Sequence, residues 1–99
     1  MTSAPTAASA VSSLTSYQGS DYSRNYTSGP AILSCNVEVD GHAVSADYHR
    51  AGSGSEYSLI DNSEDGFCAS TNTGTVITQH RAVELLPGTD AYGPWVYPV

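Results

Sequence analysis

Between Ala31 and Asp40 the side chains alternate in character. Ala31, Leu33, Cys35, Val37 and Val39 fall on one side, and Ile32, Ser34, Asn36, Glu38 and Asp40 on the other, so that only Ile32 breaks the polar set. A period of two belongs to a strand with one buried face. The run ends at Asp40-Gly41, a pair suited to the positive φ angles of a tight hairpin turn. With that pair as the loop, the sequence predicts a hairpin in which Val37 faces Val44, Cys35 faces Ala46 and Leu33 faces Tyr48. Glu38, Asn36 and Ser34 then face Ala43, Ser45 and Asp47. A slip of one residue would set Ser45 and Asp47 against apolar side chains, which fixes the expected register.

The remaining chain reads as further strands between polar turns. Glu56 to Asp61, Phe67 to Thr71 and Ala91 to Tyr97 are strand-like, with Pro94 and Pro98 placing the last at a sheet edge. Thr75 to Leu86 admits a strand, or a short helix over Gln79 to Leu86, and the all-β surroundings favour the strand. Residues 1–19, rich in Ser, Thr and Ala, are expected to form a disordered tail, with residues 20–99 as a single domain. The predicted fold is all-β, a small antiparallel sandwich or barrel of about five to seven strands.

Such a domain has little to pack. Leu, Ile, Val and Phe supply 17 of 99 residues. Cys35 and Cys68 are the only cysteines, and in a core-poor small domain they read as one disulfide rather than as buried free thiols. Closing that loop would contribute about 3–4 kcal/mol in the chain-entropy picture. A disulfide implies an oxidising compartment, so the chain is expected to be secreted. Met1–Pro5 has no basic residue and no apolar stretch follows, so the signal for export is expected to have been removed.

Charge narrows the partners. Three Arg and no Lys stand against ten acidic residues, a net charge of -7. Nucleic acid is excluded, because its affinity rests on basic side chains neutralising phosphates. No apolar run approaches the ~18 residues of a membrane-spanning helix, so no membrane insertion is expected.

Little points to catalysis. Ser34, Asp47 and His49 share the polar face of the predicted hairpin, but Asp47 lies between the other two, so His49 cannot bridge Ser34 to Asp47. His42, His49 and His80 are not expected to cluster, and Asp61, Glu64 and Asp65 read as a solvated turn, so neither a metal nor a cofactor is expected. Asn25-Tyr26-Thr27 is a glycosylation sequon of the kind that arises by chance among 24 Ser and Thr. The aromatic residues are more informative. Tyr92, Trp95 and Tyr97 close the chain amid Gly and Pro, and large rigid rings beside small polar residues suit an adaptable recognition surface. These three, then Tyr57, are the candidate ligand-binding residues.

Two likenesses bear on the fold. Ser34-Cys35 and Asp65-Gly66-Phe67-Cys68-Ala69-Ser70 look like the cysteine strands of an immunoglobulin domain, but too few strands fit between them and no Trp intervenes. From Ala31 onward the chain resembles the small secreted β-sandwich proteins abundant in streptomycetes. It shares with them an Ala/Ser/Thr-rich lead, a lysine-free acidic composition, an early-strand cysteine, His80-Arg81 and a closing Tyr92-Gly93-Pro94-Trp95. Such proteins often carry a second cysteine pair where Val83 and Tyr92 stand here. The resemblance implies export and an all-β fold. The resulting expectation is an exported, non-catalytic recognition module with a protein or carbohydrate ligand. The alternatives are an inhibitor of a secreted hydrolase, presenting Asn62–Gly66 or Pro87–Asp90, and a structural envelope component.

Overall fold

A computed structural model describes residues 10–63 and 67–99. The strands are β1 (Thr15–Gln18), β2 (Asp21–Asn25), β3 (Ile32–Cys35), β4 (Val44–Arg50), β5 (Tyr57–Asp61), β6 (Ala69–Thr71), β7 (Ile77–Glu84) and β8 (Ala91–Tyr92). They build two antiparallel sheets, ordered β1-β2-β3-β6 and β5-β4-β7-β8. This is a small β-sandwich, with no helix among the described residues. The segment Thr75–Leu86 holds strand β7. The expected tail is shorter than residues 1–19, because β1 pairs with β2 from Thr15↔Arg24 to Gln18↔Asp21. Residues 1–9 of that expected tail lie outside the described residues.

The predicted hairpin does not form. β3 pairs with β2 and β6, and β4 pairs with β5 and β7, so Asp40-Gly41 sits in a segment that crosses from one sheet to the other. Gly41 does take a positive φ of 77°. The backbone amides of the crossing segment bond to side chains instead of a neighbouring strand. Asn36 N–H donates to Asp61 Oδ2, and the Val37 and Glu38 amides donate to Asp21 Oδ1. Val37 and Val39 are accordingly 50% and 80% exposed.

The inward face of β3 is also the opposite of the one expected. Ile32 and Ser34 face the second sheet and are fully buried. They pair with Asn25 and Ser23 of β2, so the inner face of the first sheet is largely polar. Leu33 lies half-buried on its outer side. Cys35 is buried through its disulfide to Cys68, with the two Cα atoms 4.4 Å apart. That bridge continues the Ser34↔Ala69 register at the next position. It therefore staples two strands of one sheet, whereas an immunoglobulin bridge joins two sheets.

The second sheet supplies most of the apolar packing. Ala46, Tyr48 and Ile77 pack with Ile32, and Leu59 lies against them. A bulge allows this. His49 pairs with Gln79 but Arg50 pairs with Ile77, leaving Thr78 as the extra residue, so Ile77 and His80 both point inward.

Candidate binding groove

His80 occupies the centre of the interior and is fully buried. Its Nε2 lies 3.0 Å from Asn25 Oδ1, and its Nδ1 lies 2.7 Å from Ser23 Oγ. Asn25 Oδ1 can only accept, so Nε2 carries the proton and the Ser23 hydroxyl donates to Nδ1. Burial pushes the His80 pKa down to about 4, with the Leu14 backbone acting the other way. A Ser–His–Asn line of this kind invites a nucleophile reading, but all three side chains are sealed between the sheets. Asn25 also donates from Nδ2 to Ser12 O, so in the folded chain the sequon asparagine is buried with its amide in use.

The accessible chemistry lies on the outer face of the second sheet. Outward positions of β4, β5 and β7 line up across it: Asp47 stands between Ser58 and Arg81, and Ser45 between Ile60 and Val83, with Tyr92 next to Val83. Together with Glu56, Leu85 and Asp90 they line a groove of about 220 Å³. Arg81 is its fixed centre. The guanidinium reaches Asp47 Oδ2 through Nε and Nη2, each at 3.2 Å. Its carbon lies 4.0 Å from the Tyr92 ring centroid and 4.5 Å from that of Trp95. Asp47 Oδ1 accepts from Ser58 Oγ at 2.9 Å. Trp95 meets the His49 ring edge-on at 5.5 Å, and His49 Nε2 lies 3.3 Å from Glu56 Oε1.

Of the candidate residues, Tyr92 lines the groove and is 53% exposed. Trp95 flanks it through Arg81 and His49. Tyr57 belongs to the other side of β5, stacked on Tyr48 at 5.4 Å, and does not line the groove. Tyr97 is exposed beyond the Val96 bridge to His80, also outside the groove lining. Ser34 lies in the other sheet, so the structure does not bring it to Asp47 and His49. Asp61 is buried and bonds Asn36 and Ser63, while Glu64 and Asp65 lie outside the described residues. Arg81, read from the sequence only as part of the His80-Arg81 pair, was not among the candidate binding residues. Its signal was the alternation of Gln79, Arg81 and Val83 against His80 and Ala82, read in a chain with only three cations.

Comparison with protein-family models, with curated proteins and with solved structures returns no match.

Proposed function

We propose that this domain is an exported, non-catalytic recognition module that binds a segment of a partner protein in the groove around Arg81. The observation that carries the reading is the Arg81 guanidinium, held against Tyr92 and Trp95 above Asp47 on an open sheet face. An arginine already fixed by its own fold loses little further freedom when a ligand arrives. Tyr, Trp and Arg are also the residue types that dominate protein contacts. At about 220 Å³ the groove falls below the ~300 Å³ of a small-molecule pocket. It suits one inserted side chain of a larger ligand. Asp47, Glu56 and Asp90 favour a neutral or basic segment, as does the net charge of -7. The disulfide supports export.

Selection from a displayed peptide library, alongside a glycan array, tests this reading. Peptides enriched by the wild-type domain should bind Tyr92→Ala and Arg81→Ala at least tenfold more weakly while both variants remain folded and unfold cooperatively. Equal binding by both variants would remove the groove as the site. Glycan binding alone would reject the protein ligand.

A further inference from the structure

Among the described residues three side-chain oxygens are buried with no hydrogen-bond partner: Gln18 Oε1, Asp21 Oδ2 and Asn36 Oδ1. Native proteins leave few such atoms, and each asks for an explanation. All three are acceptors, and their residues occupy adjoining segments. Gln18 pairs with Asp21 in the β1–β2 register, and Asn36 precedes the two amides that bond Asp21 Oδ1.

At that end of the sandwich, Asp21, Glu38, Asp40 and Glu84 each bring one carboxylate oxygen within 4.8 Å of the other three. Asp21 opens β2, Glu38 and Asp40 belong to the crossing segment, and Glu84 closes β7, so both sheets contribute. Asp21 is fully buried, and its unpartnered Oδ2 belongs to the same carboxylate whose Oδ1 is fixed by the Val37 and Glu38 amides. Glu38 is held in turn by the Ser20 amide at 2.8 Å, and Asp40 by the His42 amide at 3.0 Å.

Among the described residues no arginine pairs with this charge. The chain has no Lys. Arg24 bonds Thr15, Arg50 bonds the Pro30 and Thr75 carbonyls, and Arg81 bonds Asp47. His42 is the one neighbouring base, and it draws the Glu84 pKa down. The larger influences push it up: burial first, then Asp40 and Glu38. Asp21 is likewise raised, chiefly by burial.

We propose that Asp21, Glu38, Asp40 and Glu84 form a calcium site that ties the two sheets together. An oxygen-only, carboxylate-rich set selects a hard cation over zinc or copper. Calcium–oxygen distances of 2.3–2.6 Å put oxygens on opposite sides of the ion about 4.6–5.2 Å apart, whereas magnesium would draw them to about 4.2 Å or less. The four oxygens all lie within 4.8 Å of one another, close enough for one calcium ion to reach them together. Gln18 Oε1 and Asn36 Oδ1 offer neutral oxygens in the segments alongside.

Calorimetric titration of CaCl2 into the EDTA-treated, disulfide-bonded chain tests the site, with thermal melts in parallel. The expected result is saturable binding of a single calcium with Kd about 10⁻⁴–10⁻³ M, in the range of extracellular modules, and a rise in melting temperature. Glu84→Gln and Asp40→Asn alter side chains that are not fully buried, and each should weaken binding at least tenfold. If one fails to fold, the other decides. Absence of saturable binding would overturn the proposal. So would equal binding by the folded variants, or an equal melting shift from MgCl2 or from NaCl at matched ionic strength.

Discussion

Two polar clusters lie in this sandwich, one sealed around His80 and one reaching the surface around Asp21, and they are completed differently. Around His80 each ring nitrogen has a partner, Asn25 uses both ends of its amide, and Ser16 donates to Pro94 O while accepting from the Ala82 amide. Around Asp21 the donors run out: Oδ1 holds two amides, and Oδ2 holds none. A satisfied buried network fixes one structure and is chemically quiet. An oxygen-rich cluster short of donors calls for a cation from outside. The three arginines are each engaged elsewhere among the described residues.

The disulfide should give the largest separation between the two clusters. Cys35 adjoins Asn36 and the crossing segment. Replacing both cysteines by Ser should lower stability by about 3–4 kcal/mol, measured by denaturant unfolding. Hydrogen exchange should rise first at residues 36–42, and last around Ser23, Asn25 and His80. Uniform loosening would contradict a stapled acidic end.

His80 gives the next largest effect. Its folded pKa of about 4 lies below the 6.5 of a free histidine. Neutral His80 is therefore favoured by the fold. Its contribution is complete above pH 6.5, declines as pH falls toward 4 and is absent below. The lost stability is about 3 kcal/mol at ~1.4 kcal/mol per pKa unit. His80→Gln can still donate to Asn25 and accept from Ser23 but does not titrate. Denaturant melts at pH 7 and pH 4.5 should show a smaller loss for the variant than for the wild type. An equal loss would show that His80 does not carry the acid sensitivity.

The smallest effect on stability belongs to the groove. Arg81→Ala removes one partly exposed ion pair and two cation–π contacts, about 1–2 kcal/mol in sum. A greater loss in chemical unfolding would mean that Arg81 serves the fold more than a ligand.

The sequence showed strand content better than strand neighbours. β5, β6 and β7 lie within the stretches that alternation and β-branching marked, and the Cys35–Cys68 bridge was legible from a chain short of aliphatic residues. The hairpin at Asp40-Gly41 was misread because alternation reports which residues share a face, not which strand lies alongside. What decided against it was Asp21, distant in sequence, taking the Val37 and Glu38 amides. The face of β3 was misread because Ser34 and Ile32 point into an interior already polar with Ser23 and Asn25, while Leu33 is left outside. At the groove, Tyr92 and Trp95 were visible as closing aromatics. Arg81 was not, since its ring contacts exist only once β8 and the closing residues return beside β7. Tyr57 lies off the groove by parity: the β4–β5 register sets it beside Tyr48. The acidic cluster was hidden for the same reason as the hairpin error, because its four members come from three separate stretches of chain.

A calcium titration followed residue by residue in proton–nitrogen NMR spectra tests the contrast between the two clusters most directly. Saturable shifts are expected at residues 18–21, 36–42 and 84, with Ser23, Asn25 and His80 left in place. Shifts spread evenly over the acidic surface, or no saturable shift at Asp21 and Glu84, would contradict that contrast.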